Sequence, residues 1–312
     1  MREPKPAELR AAAHRLGISD PEMVRKDVAV VDALKLAFAT QLPEGARLVF
    51  SGGTCLARAH KIIRRMSEDA DLKIAIADSN LSRSAIKKKL SEAKKAIGAS
   101  LLEGGFEFAN KDGPIAKNEN RLVEFPLRYG GMKSSNHVIR DHLKVEMVFC
   151  RIRLATQNKS IKSLLHEVAD RPAELENIEC ISVTETAAEK LISLTRRVAG
   201  AIEGTKPEVT DRFIVRHIYD IHAIVKSRDF DGATTIELGR AIAAQDADQY
   251  AAWFPCYRED PRLWTSHAIN HLASSDQPRS DYEEFLAAMV YGHKTPYDDA
   301  LASVRELACR LW

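Results

Sequence analysis

No apolar run in the 312-residue chain approaches the ~18 residues that mark a membrane-spanning helix. The first residues, Met1-Arg2-Glu3-Pro4-Lys5, are polar and lack the apolar stretch of a signal peptide. Both absences predict a cytoplasmic protein with no membrane partner. No CxxC pair occurs, and the five cysteines (Cys55, Cys150, Cys180, Cys256, Cys309) are odd in number and far apart. That spacing argues against a structural zinc site and for reduced, mostly buried thiols. There is no internal repeat and no low-complexity linker, and a formal net charge of +2 selects no partner by itself. With 45% hydrophobic and 29% charged residues, the composition permits a sizeable core and excludes wholesale disorder.

What is present divides the chain in two. Val24, Val28, Val31, Leu34 and Phe38 recur at helical spacing and predict a helix over 21–42, ended by Pro43-Glu44-Gly45. A short buried strand, Arg47 to Phe50, runs into Ser51-Gly52-Gly53, and Thr54 to Arg65 reads as a helix. Ala70 to Ile76 reads as a strand with Ala70, Leu72, Ile74 and Ile76 on one face and Asp69, Asp71 and Lys73 on the other. A basic helix over 82–102 and strands over 106–109, 121–129 and 142–149 follow. Residues 151–181 read as an irregular connection with short helical pieces. From Ser182, where Ser182 and Glu185 form a capping-box signature, the pattern is helical: 182–200, 211–226, 235–252, 262–274, 280–291 and 297–310. The expected architecture is an α/β (α+β) core with a mixed twisted sheet and flanking helices over 1–178, then an all-helical domain over 179–312.

The chemistry concentrates around two short motifs. Adjacent glycines after a strand allow positive φ and close backbone approach, and their N–H groups suit an anion such as a triphosphate. Asp69 and Asp71, two apart on a strand, project from one face. Converging carboxylates repel unless a cation intervenes, and hard oxygen donors suit Mg²⁺ or Mn²⁺. Alone, a Gly-Gly is an ordinary turn and an Asp-x-Asp an ordinary strand end. In the order strand, Gly-Gly, helix, Asp-x-Asp they point to metal-assisted phosphoryl or nucleotidyl transfer. The expected site is Ser51, Gly52, Gly53 and Thr54 for the phosphates, Asp69 and Asp71 for metal, and Glu146 as a third carboxylate, with Glu124 as its alternative. A bland reading gives Glu146 a cross-strand salt bridge with a lysine.

Lys190 borders the buried stripe of its helix, either reaching a triphosphate or snorkelling. Asp220 is a further candidate, with an i,i+4 pair to Arg216 as its plain alternative; His217 lies one turn before it. The basic residues Arg58, Lys61, Arg64 and Arg65, and then Arg83, Lys87, Lys88, Lys89, Lys94 and Lys95, suit either a solvated face or a phosphate backbone.

Phe50-Ser51-Gly52-Gly53-Thr54-Cys55-Leu56, followed by Arg65-Met66-Ser67-Glu68-Asp69-Ala70-Asp71-Leu72, resembles the AbiEii/AbiGii-type nucleotidyltransferase toxin family of the DNA-polymerase-β-like superfamily, which reads F-x-G-G-T-x-L and R-x-S-x-D-x-D-L. Arg25-Lys26-Asp27 to Leu34 resembles its E-K-D entry helix, Leu143 to Glu146 its I-K-[VL]-[DE] strand, Glu189-Lys190-Leu191 its E-K-L helix, and Arg216 to Ile221 its R-D-x-Y-D-L signature. The resemblance spans roughly residues 22 to 225. Arg25 stands where the family has Glu, and His217 where it has the first Asp of R-D-x-Y-D, leaving Asp220, with His217 or Asp211 as substitutes. The resemblance implies a toxin of a toxin–antitoxin or phage-defence system, an antitoxin partner, and nucleotide transfer from an NTP to RNA, notably the acceptor end of tRNA. A small-molecule nucleotidyltransferase and a degenerate nucleotide- or partner-binding protein are the alternatives.

Overall fold

A computed structural model describes residues 2–78, 80–130, 140–204 and 212–312, the side chains of 212 and 213 excepted. The chain divides into two compact units. The first comprises Met1–Lys61 and Arg65–Ile181, and the second Ile62–Arg64 and Ser182–Trp312.

In the first unit, helices α1 (Pro6–Leu16) and α2 (Pro21–Ala39) precede strand β1 (Ala46–Ser51), helix α3 (Gly52–Arg58), strand β2 (Asp69–Ile76) and helix α4 (Arg83–Glu103). Strands β3 (Glu107–Phe108), β4 (Ile115–Lys117), β5 (Leu122–Arg128), β6 (Leu143–Phe149) and β7 (Gln157–Ile161), helix α5 (Leu164–Val168) and strand β8 (Leu175–Cys180) complete it. One mixed sheet has the order β3-β5-β6-β2-β1-β8-β7, with β4 beside β5. At its centre β2 runs antiparallel to β1 and parallel to β6.

Period-two alternation explains why this sheet has one dry face. Ala70, Leu72 and Ile74 of β2 and Leu143, Val145 and Met147 of β6 are buried. They share a core with Val30, Val31 and Leu34 of α2 and Leu90, Ile97 and Leu101 of α4. The intervening residues Asp69, Asp71, Lys144 and Glu146 therefore point the other way.

The expected α/β core followed by helices is what the structure shows, with local differences that include the unexpected short strand β4 and a short helix at Pro255–Glu259. Residues 151–181, expected to be irregular, supply the antiparallel pair β7 and β8; their strand polarity is carried by scattered residues such as Ile161, Leu175 and Ile178, too few for a visible alternation. The helix after the glycines ends at Arg58 instead of Arg65, and Lys61 adopts a left-handed φ of 57°, which an α-helix cannot continue through. Helix α1, absent from the sequence reading, buries Leu9, Ala12 and Ala13.

The second unit is helical. Helix α6 (Val183–Glu203) opens with the Ser182 hydroxyl accepting from the Glu185 N–H at 3.0 Å. A 3-10 turn, Arg212–Val215, leads into α7 (Arg216–Val225), then α8 (Gly232–Gln249), α9 (Pro255–Glu259), α10 (Pro261–Ser274), α11 (Asp276–Met289) and α12 (Tyr297–Leu311). Helix α6 packs on α7, α8, α9 and α10. No helix among the described residues is long and apolar enough to cross a membrane.

Candidate active site

The site grows out of strand register. Ser51 lies opposite Asp71, Asp71 beside Glu146, and Glu146 opposite Glu124. These four residues form a lateral row across β1, β2, β6 and β5, spaced by the ~4.8 Å between strands. In the next row Asp69 lies beside Lys144. Both candidates for the third carboxylate thus fall in the same row as Asp71, and Glu146 is the nearer.

Gly52 and Gly53 make the turn possible for different reasons. Gly52 has φ +73°, and a Cβ there would lie 1.8 Å from Asp71 Oδ2. Gly53 has Arg65 and Ser67 against it; a Cβ would lie 2.5 Å from Arg65 Nη2 and 2.9 Å from Ser67 Oγ. The backbone of the turn is therefore in direct contact with the Asp71 carboxylate. Two hydroxyls, including that of Thr54, which was expected to meet phosphate, lash the turn to β2: Ser51 Oγ donates to the Asp71 carbonyl at 3.1 Å and Thr54 Oγ1 donates to the Asp69 carbonyl. What this leaves facing outward from the turn is backbone.

The carboxylates attract cations. Lys144 Nζ is 2.9 Å from Glu146 Oε2 and 3.7 Å from Asp69 Oδ2, and Arg140 Nη1 donates to Asp69 Oδ1 at 3.0 Å. Burial opposes the charged ammonium of Lys144, but the fields of Asp69, Glu146 and Asp71 outweigh it and raise its pKa. The salt bridge weighed for Glu146 is real, though its lysine lies two residues earlier on the same strand. Among the described residues no three His, Cys, Asp or Glu side chains converge at metal-binding distance; Lys144 and Arg140 take up part of the carboxylate coordination. The donor set nevertheless fits a divalent ion: hard oxygens, on adjacent strands, whose combined field already holds an ammonium ion.

Behind the motifs lies a buried polar frame that the residue pattern did not reveal. Lys26, fully buried in α2, donates to Glu68 Oε1 at 2.5 Å and to the Arg140 carbonyl at 2.8 Å. Its burial pulls the ammonium below the ordinary lysine pKa, against the pull of Glu68. Asp27, the next residue, accepts from the Leu164 N–H at 2.5 Å and faces Arg58 Nε at 3.4 Å. Burial raises the Asp27 pKa while Arg58 opposes the rise. Arg58 and Arg65 are both buried, so two of the four basic residues after the turn are structural and unavailable to a phosphate backbone. On α4, Arg83 pairs with Glu119 at 2.8 Å and Lys89 donates to the Glu44 carbonyl at 2.6 Å, while Lys87, Lys88 and Lys95 are exposed.

Lys190 and Asp220 belong to the helical unit and meet each other. Lys190 Nζ lies 2.9 Å from Asp220 Oδ2, with Asp220 fully buried. Asp220 thus pairs across helices, a partner that the i,i+4 reading with Arg216 missed. His217 Nδ1 lies 3.3 Å from the Lys190 carbonyl, and burial, followed by the charges of Lys190 and Arg216, lowers its pKa well below the ordinary histidine value. Asp211 lies outside the described residues.

A Gly-Gly turn seated on an Asp-x-Asp strand, beside a third acid, defines the nucleotidyltransferase class. The family described as nucleotidyl transferase AbiEii toxin, type IV TA system, matches residues 36–303, and the chain belongs to that family. Among solved structures it is similar to MenT4, a nucleotidyltransferase toxin from Mycobacterium tuberculosis H37Rv, with a TM-score of 0.61 and 19% identity over 97% of this chain and 89% of that one; at that identity the likeness speaks for the fold. No curated protein sequence matches the chain.

Proposed function

We propose that the protein transfers a nucleoside monophosphate from an NTP to the 3′ end of an RNA, with the tRNA acceptor end as the expected target, and that it does so in the cytoplasm as the toxin of a pair whose antitoxin restrains it. The observation that carries the reading is the lateral row in which Asp71, touching Gly52, stands beside Glu146. Asp69, Asp71 and Glu146 would hold Mg²⁺ or Mn²⁺, which when bound neutralises the triphosphate and polarises the phosphorus under attack. The N–H groups of the Gly52-Gly53 turn would meet the phosphate oxygens, and the glycines themselves are required because a Cβ at either would strike Asp71 or Arg65 and Ser67. Glu146, flanked by Lys144, accepts the proton of the attacking 3′-hydroxyl.

Lys87, Lys88 and Lys95 on α4 favour an RNA acceptor over a small molecule, because exposed cations along one helix suit a phosphate backbone. The test is incubation with each labelled NTP and total RNA. Asp69→Asn should abolish labelling while the far-UV spectrum stays unchanged. RNA binding should weaken steeply with salt. Full labelling by Asp69→Asn would refute the assignment, and salt-insensitive labelling of a small acceptor would favour the antibiotic-type alternative.

A further inference from the structure

A buried ammonium is costly to remove from water, and the core position of Lys26 could hold an apolar residue of similar length. Its partners suggest why lysine is there. Glu68 immediately precedes β2, the strand of Asp69 and Asp71, and Arg140 lies three residues before β6, the strand of Glu146. Lys26 Nζ binds both: Glu68 Oε1 at 2.5 Å and the Arg140 carbonyl at 2.8 Å. The link closes on itself, because the Arg140 N–H also donates to Glu68 Oε1 at 2.7 Å. It then reaches the site, because Arg140 Nη1 donates to Asp69 Oδ1 at 3.0 Å and Oδ2 at 3.3 Å. The Tyr129 ring lies 5.6 Å from the ammonium.

We propose that Lys26 is a positioning residue for nucleotidyl transfer: through Glu68 and Arg140 it pins together the entry points of β2 and β6, and so sets the spacing of Asp69 and Asp71 against Glu146. The two strands run parallel, with Asp69 beside Lys144 and Asp71 beside Glu146, so a shift of one entry point moves every carboxylate on that strand relative to the other. Oxygen donors on separate strands hold a divalent ion only while their separation is kept. Groups that orient metal ligands in this way typically change affinity or activity by about 10–100-fold when removed. The inference rests on the assignment of Asp69, Asp71 and Glu146 as the metal-binding acids.

The experiment measures Mn²⁺ binding to the full chain by the loss of the free-ion resonance, alongside thermal unfolding and turnover as a function of Mn²⁺. Lys26→Met and Glu68→Gln should each weaken Mn²⁺ binding by about tenfold, with most of the turnover recovered at saturating Mn²⁺. The double variant should be no worse than the weaker single, because both changes cut one link. Should Lys26→Met fail to fold, Glu68→Gln decides alone. Wild-type Mn²⁺ affinity in both variants would overturn the proposal, as would losses that add in the double variant or a turnover defect that saturating Mn²⁺ leaves in place. If Asp69→Asn binds Mn²⁺ as well as wild type, the metal assignment itself is wrong and the inference falls with it; if Asp69→Asn loses binding while Lys26→Met keeps it, only the role of Lys26 is wrong.

Discussion

Two glycines offer a matched pair of perturbations. Gly52 and Gly45 have nearly the same left-handed backbone, φ +73° and +75°, but a Cβ on Gly45 would meet nothing within 4 Å, whereas one on Gly52 would lie 1.8 Å from Asp71 Oδ2 and 2.6 Å from its Cγ. Alanine at either position carries the same backbone penalty, about 1–2 kcal/mol, which lowers the midpoint of thermal unfolding by roughly 2–8 °C in a domain of this size. Only Gly52→Ala must also drive the Asp71 carboxylate away, by roughly 1.5 Å to reach ordinary van der Waals distance. Misplacing a reacting group by ~1 Å can cost about 100-fold in rate. Gly45→Ala should therefore lose stability and keep its rate of NTP-dependent labelling, while Gly52→Ala loses at least as much stability and about 100-fold or more in rate. The assay pairs thermal unfolding with a labelled-NTP time course below the unfolding range. Equal labelling rates in the two variants would show that contact between the turn and Asp71 is irrelevant to the chemistry.

Lys144→Met removes the ammonium 2.9 Å from Glu146 and 3.7 Å from Asp69, while Arg140 stays on Asp69; the variant should unfold at lower temperature than wild type in chelator and gain more than wild type when Mg²⁺ is added, and an equal Mg²⁺ shift would count against a shared cation site. Asp220→Asn leaves the buried Lys190 ammonium without the carboxylate 2.9 Å away and should cost about 3–5 kcal/mol in urea unfolding; Lys190→Met with Asp220→Leu should cost less than the two single changes summed, and strict additivity would show that the pair is not energetically coupled. His217 makes stability pH-dependent. Its folded pKa lies below its unfolded value of about 6.5, so the unfolded chain binds the extra proton and stability falls as pH drops below ~6.5, by at most about 1.4 kcal/mol per pH unit. His217→Gln should flatten that segment of a pH series, and an unchanged slope would place the proton elsewhere.

The parts of the site that could be read from residue order are those whose geometry is local. Strand alternation alone puts Asp69 and Asp71 on the face opposite Ala70 and Leu72, and a Gly-Gly before a helix needs no distant partner to be recognised. The third acid required more, because Glu146 meets Asp71 only through the pairing of β2 with β6, strands about seventy residues apart in the chain. The Thr54 hydroxyl looked available to phosphate because its acceptor, the Asp69 carbonyl, is supplied by another strand. Arg58 and Arg65 looked like surface cations for the same reason: the carboxylate of Asp27 that buries Arg58 comes from α2, and periodicity carries no information about such cross-element partners. The pair β7 and β8 was hidden because Gln157–Ile161 carries a single apolar residue and the apolar residues of β8, Leu175, Ile178 and Cys180, fall three and then two apart, leaving no hydrophobic period to detect.

The two departures from the family's motifs can now be weighed against the structure. In E-K-D, the substituted first position is Arg25, whose Nε pairs with Glu22 at 3.1 Å on the same helix. The retained Lys26 and Asp27 are themselves buried and paired, with Glu68 and Arg140 for one and Arg58 and the Leu164 N–H for the other. In R-D-x-Y-D, the substituted position is His217, which lies against the Lys190 carbonyl, while the retained Asp220 holds the Lys190 ammonium. Position 217 faces the charges of Lys190, Arg216, Asp220 and Arg197, and a neutral imidazole there leaves the Lys190–Asp220 pair as it is. Both substitutions thus fall where a side chain can change without unpairing a buried charge. This is the pattern of a chain that has kept its charged framework, and it weighs against reading His217 as the mark of a degenerate enzyme.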